Sequence, residues 1–184
     1  MGTPKRLSCL VLAFFAMALI TAPAALAANA CESAGAAPSK RAPRVLVRST
    51  LCVLNAERDR YGLKPLRLNR RLSKASRRHA RDMARNKYFS HDSQSGGSFV
   101  DRIRRSGYLT GVRSWTVGEN IAWGSRSLAT PRAIGQAWMR SPGHRANILS
   151  PAFREIGIGV ANGAPVQGGG GEAATYATDF GARS

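Results

Sequence analysis

The chain has 184 residues with 28 Lys or Arg against 10 Asp or Glu, a formal net charge of +18 at pH 7. The length gives room for one domain with a sizeable core and not for two. The basic residues run as Arg-Arg pairs (Arg70-Arg71, Arg77-Arg78, Arg104-Arg105) along helical stretches and are not gathered in one basic arm, which excludes the usual nucleic-acid footprint and leaves either a solvated helix face or attraction to an anionic envelope polymer or acidic lipid.

The amino terminus has Lys5 and Arg6, then an apolar stretch from Leu7 to Ala22, then Ala25-Leu26-Ala27. That order is expected of a signal peptide over residues 1–27, with cleavage after Ala27 and secretion of the remainder. The apolar run from Leu10 to Ile20 is short for a bilayer, which needs about 20 apolar residues, and no second run follows. The mature chain is therefore expected to be without a transmembrane segment and to be extracellular or cell-wall associated. Lipid anchoring through Cys31 is the alternative, opposed by Asn29 among its flanking residues. Cys9 leaves with the signal peptide, and Cys31 and Cys52 are expected to pair in an oxidising compartment. Residues 28–42 are rich in Ala, Ser, Gly and Pro and read as a linker tied down by Cys31.

The folded domain is expected over residues 43–184. Leu46, Thr50, Val53, Leu54 and Glu57 follow helical spacing until Gly62 and Pro65 end the run. Asn69 caps a second helix with an apolar face of Leu72, Ala75, His79, Ala80 and Met83. Ser98 with Asp101 forms a capping box for a third helix ending at Gly107. Thr130-Pro131 starts a fourth, carrying Ile134, Ala137 and Trp138. After Pro151 the period drops to two, with Ile156, Ile158 and Val160 alternating with glycines. Tyr176 to Phe180 forms a second strand, and the two read as an antiparallel hairpin with a long connection. Helices first and strands late define an α+β class.

No Gly-x-Ser-x-Gly elbow, His-Glu-x-x-His helix, Cys-x-x-Cys pair or phosphate loop is present, which removes support from the common hydrolase and nucleotide-binding chemistries. His79 sits in an apolar stripe and reads as a structural histidine. His91 and His144 fall just outside the expected helices, and loop histidines are the better functional candidates. Trp138, Trp123, Ile148 and Leu149 read as core; Asn55, Arg58, Asn120 and Asn147 read as side chains that satisfy buried backbone. Trp115 is placed in a loop as an exposed aromatic suited to a lipid or glycan.

Five blocks carry a resemblance. They are His79-Ala80-Arg81-Asp82-Met83 leading to Tyr88-Phe89-Ser90-His91; Gly118-Glu119-Asn120-Ile121-Ala122; Ala137-Trp138-Met139 with Ser141 to Leu149; Glu155 to Val160; and Tyr176 to Gly181. In this order they resemble bacterial CAP domains, the superfamily of cysteine-rich secretory, antigen 5 and pathogenesis-related proteins (SCP-like domains). The resemblance implies an α-β-α sandwich with a central antiparallel sheet and a cleft lined by two histidines and two glutamates able to hold a divalent metal. By similarity His91, Glu119 and His144 take three of those places, a ligand set suited to zinc, and Ser141 stands where the second acid is expected. A missing acid weakens acid-base or metal-assisted hydrolysis. No cofactor is then required. Three functions follow: a noncatalytic binding module for a lipid, glycan or protein, a metal-dependent hydrolase, and a ligand-free scaffold.

Overall fold

The computed structural model describes Met1 and residues 31–38, 42–169 and 171–184; the expected signal peptide after Met1, with Cys9 and the expected cleavage site, and parts of the linker fall outside these residues. Helix α1 (Pro43–Arg60) begins on a proline, which lacks an N–H that the first helical turn would leave unpaired anyway, and buries Leu46 and Leu54. Asn69 Oδ1 accepts from the backbone N–H groups of Arg71 and Leu72 and starts α2 (Arg70–Asn86), whose buried face is Leu72, Ala75, Ser76, His79, Ala80, Met83 and Ala84. Ser98 and Asp101 close the expected capping box on α3 (Phe99–Arg105), and the Thr130 hydroxyl caps α4 (Pro131–Arg140).

Four strands, β1 (Arg67–Leu68), β2 (Trp115–Ser125), β3 (Glu155–Asn162) and β4 (Ala173–Arg183), form one sheet in the order β1-β3-β4-β2. The expected hairpin of β3 and β4 is present, with Ile158 opposite Thr178. The sheet is mixed and not wholly antiparallel, because β1 runs parallel to β3; a two-residue strand with both side chains exposed carries no hydrophobic period to announce it. One face of β3 sends Ile156, Ile158 and Val160 into the main core with Leu46, Leu54, Trp138, Tyr176 and Phe180. Its other face is glycine. A Cβ at Gly157 would lie 2.1 Å from the Leu72 carbonyl carbon, and one at Gly159 would lie 2.3 Å from the Ser76 carbonyl oxygen. Helix α2 therefore lies directly on the strand backbone, while α1, α4 and α5 (Pro142–Leu149) pack with the main core.

Helix α5 and strand β2 were not expected. Ser141-Pro142-Gly143 looks like a turn, yet Pro142 opens an eight-residue helix that carries His144, so His144 is helical and not a loop residue. Strand β2 hides its period behind buried polar residues, Glu119 and Asn120; Trp115 is its first residue, still exposed. Trp123 is exposed at 36%, not core. The linker is not featureless: Ser33–Gly35 form a 3-10 turn with Ala34 buried. Cys31 and Cys52 form the expected disulfide, which joins this turn region to α1. Asn55 bonds both the N–H and the carbonyl of Leu66. Arg58, fully buried, donates from Nε to Lys64 O (2.9 Å), from Nη1 to Ile148 O (2.6 Å) and Ser150 O (3.0 Å), and from Nη2 to Phe153 O (3.3 Å), holding the loops around α5.

Candidate functional site

Glu119 sits mid-strand in β2, paired across the sheet with Asp179 of β4. Both carboxyls are buried, so each oxygen needs a partner. Glu119 Oε2 accepts from Arg102 Nη2 of α3 at 2.6 Å, and Oε1 meets His91 Nδ1 at 2.8 Å. Arg102 Nη1 also donates to Ser93 Oγ and Gly97 O, so the loop after α2 is stitched to the start of α3. Asp179 Oδ2 accepts from Ser76 Oγ of α2 at 2.7 Å. Asp179 Oδ1 has no partner among the described residues, and burial first, with the neighbouring Glu119 charge second, pushes the Asp179 pKa well above the ordinary carboxyl range.

The histidines divide by environment. His91 is half exposed, and its bond to Glu119 raises its pKa above the usual value despite some burial. An ionised carboxylate only accepts, so His91 Nδ1 carries the hydrogen and Nε2 is left for a ligand. His144 on α5 has its pKa lowered, by burial and then by the charge of His91, which places the two imidazoles in one electrostatic neighbourhood. Two asparagines fix α5 to β2: Asn120 Nδ2 donates to His144 O at 3.0 Å, and Asn147 Nδ2 donates to Glu119 O at 3.2 Å. His79 is buried, with Nε2 on Ser90 O at 2.9 Å, in keeping with a structural role.

The three-ligand set is not assembled. Both oxygens of Glu119 are engaged, one of them by a guanidinium that would repel a divalent cation, and among the described residues no group of three His, Cys, Asp or Glu side chains is arranged to hold a metal. Glu119 instead orients His91 from behind. Ser141 is the hinge between α4 and α5, with its N–H on Trp138 O. The zinc-type site implied by resemblance therefore does not fit these residues as a His91, Glu119, His144 trio. Sequence reasoning missed Arg102 and Asp179. A lone Asp inside the apolar run Tyr176 to Phe180 was the available signal for Asp179; Arg102 was masked by the surrounding arginines.

A mixed four-stranded sheet with α2 on one face and α1, α4 and α5 with the core on the other is a helix-sheet-helix sandwich of the CAP kind. Residues 51–177 match the model of the cysteine-rich secretory protein family, CAP, and the chain belongs to that family. Among curated proteins it is 45% identical over 105 residues to YkwD of Bacillus subtilis (strain 168), covering 57% of this chain and 38% of that one. It is 32% identical over 113 residues to the membrane protein YlbC of the same strain, covering 61% of this chain and 31% of that one. The chain thus spans well under half the length of these relatives. Among solved structures, an extracellular SCP-domain protein of Bacillus anthracis str. Ames aligns with a TM-score of 0.59 at 29% identity, over 75% of this chain and 40% of that one. An outer surface protein of Borrelia burgdorferi aligns at 0.58 and 19% identity, over 71% and 87%, a likeness of fold alone. No helix among the described residues is long and apolar enough to cross a membrane.

Proposed function

We propose that the protein is a noncatalytic binding module at the cell exterior, which presents His91 Nε2 and His144 to a lipid, glycan or protein ligand and uses its charge to associate with anionic envelope material. The observation that carries this reading is the double engagement of Glu119 by Arg102 and His91, next to a buried Asp179 whose pKa burial pushes well above the ordinary carboxyl range. Water activation needs a base with a free lone pair that water can reach; both Glu119 oxygens are engaged, and Asp179 is only 1% exposed. The extracellular setting named for the Bacillus anthracis neighbour supports the location. The test is native mass spectrometry of the protein exported by its own host, together with peptide and wall hydrolysis assays. Copurified ligand displaced by His91→Ala, with no hydrolysis, is the expected result.

One observation favours a second reading. The 2.8 Å bond between His91 Nδ1 and Glu119 resembles the base-orienter pair of a hydrolase, with Nε2 as the base. Hydrolysis by the wild type that is lost in His91→Gln would replace the binding module with an enzyme.

A further inference from the structure

Helices α2 and α3 enclose a cleft of about 250 Å³. Lys74 and Arg78, one turn apart on α2, line it from one side, and Arg102 and Arg105, one turn apart on α3, line it from the other. Asp82 is the sole acid among the lining residues, and its two oxygens already accept from Asn86 and Tyr88. Neither Lys74 nor Arg78 takes part in an ion pair among the described residues. With Arg102 balanced by Glu119 and one further cation balanced by Asp82, two positive charges face the cleft uncompensated.

Two polar atoms strengthen the case independently of charge. The Arg102 side chain is only 8% exposed, yet its Nε–H has no partner. His79, 1% exposed and also lining the cleft, has an unpartnered Nδ1. Since Nε2 spends its hydrogen on Ser90 O, Nδ1 is an acceptor. A buried donor or acceptor left unpaired costs about 1–3 kcal/mol, and a ligand that offers both an oxyanion and a hydroxyl satisfies the two at once. The volume lies below the roughly 300 Å³ at which drug-sized pockets begin.

We propose that this cleft binds a phosphate monoester on a short alcohol: a dianionic phosphoryl group held by Lys74, Arg78, Arg105 and Arg102 Nε, with a hydroxyl of the alcohol donating to His79 Nδ1. Guanidinium groups match phosphoryl geometry, and a dianion matches the two excess charges where a carboxylate would not. The site goes beyond the ligand proposed for His91 and His144, since it lies on the Nε side of an arginine whose Nη2 serves Glu119.

The test is calorimetric titration of the exported, disulfide-bonded chain with glycerol phosphate, inorganic phosphate and acetate, alongside sedimentation with vesicles containing phosphatidic acid. One-to-one saturation by glycerol phosphate is expected, tighter than by inorganic phosphate, with none by acetate. The exposed pair Lys74→Gln with Arg78→Gln should weaken it about tenfold or more, whereas Arg70→Gln with Arg77→Gln, the same charge removed outside the cleft, should change it by no more than about twofold. Equal losses in both pairs would reduce the effect to diffuse charge and overturn the site. Saturation confined to vesicles, equal affinity for inorganic phosphate, or no binding would each overturn the monoester assignment. The readings on His91 above involve none of the substituted residues, so either proposal can fail alone.

Discussion

Changing Glu119 to Gln keeps the shape of the side chain and removes its charge, which tests the central ion pair. Arg102 is 92% buried by side chain and Glu119 is 99% buried, with 2.6 Å between Nη2 and Oε2. Removing one partner of a buried pair leaves the other charge uncompensated and costs about 3–5 kcal/mol. Here the loss should fall near the lower end. After burial, the Glu119 charge raises the Asp179 pKa, while Arg102 acts in the opposite sense; once residue 119 is neutral, the Asp179 pKa should fall, and Asp179 can supply part of the missing charge. A loss of about 3 kcal/mol lowers the midpoint of thermal unfolding by roughly 6–12 °C in a domain of this size. Circular dichroism melts of the wild type, Glu119→Gln, Arg102→Met and the double variant form a cycle in which the double variant should be no less stable than Glu119→Gln alone. A loss under about 1 kcal/mol, or additive effects in the cycle, would refute the view that these two groups hold α3 to the sheet.

Two further outcomes are expected. Arg58→Ala should destabilise by about 3–5 kcal/mol in urea unfolding, since it strands buried carbonyls at Ile148 and Phe153 that a lysine could not reach together; an Arg58→Lys variant close to wild type would contradict this. His91 should titrate above its ordinary value of 6.5 by NMR, with His79 and His144 below theirs, and Glu119→Gln should bring His91 down. Because the folded pKa of His91 is raised, its stabilising contribution is complete below about pH 6.5 and disappears as the pH rises through the folded value; being half exposed, it is a modest one. The stability gap between wild type and His91→Gln should therefore shrink on going alkaline, and a gap constant with pH would count against the pair.

The helices announced by caps were legible. Asn69, the Ser98–Asp101 box and Thr130-Pro131 each declare a start locally, because a cap is a short-range bargain between one side chain and the next three N–H groups. The β3–β4 hairpin was legible for the same kind of reason: Ile-Gly alternation states which face is buried. Strand β2 was not, since Glu119 and Asn120 are buried through partners from α3, the His91 loop and α5, and nothing local says that a glutamate will find an arginine 17 residues away. The same distance effect explains the site. His91 and Glu119 were named by resemblance and do meet; Arg102, which decides how Glu119 is used, carries no motif.

Strand β4 has a consequence for the order of events in folding. Every antiparallel pairing of the sheet includes it, on one side with β2 and on the other with β3, so until residues 173–183 arrive β2 has no strand partner and β3 has only the two-residue β1. A chain emerging from its amino end can form α1 and α2 early but cannot close the sheet, and Asp179, last of the buried polar cluster to be made, completes the partners of Ser76 only then. Such late, long-range closure slows folding and keeps the chain open while it is being made. Truncation anywhere ahead of Ala173 should therefore leave the helices without the antiparallel sheet that holds them.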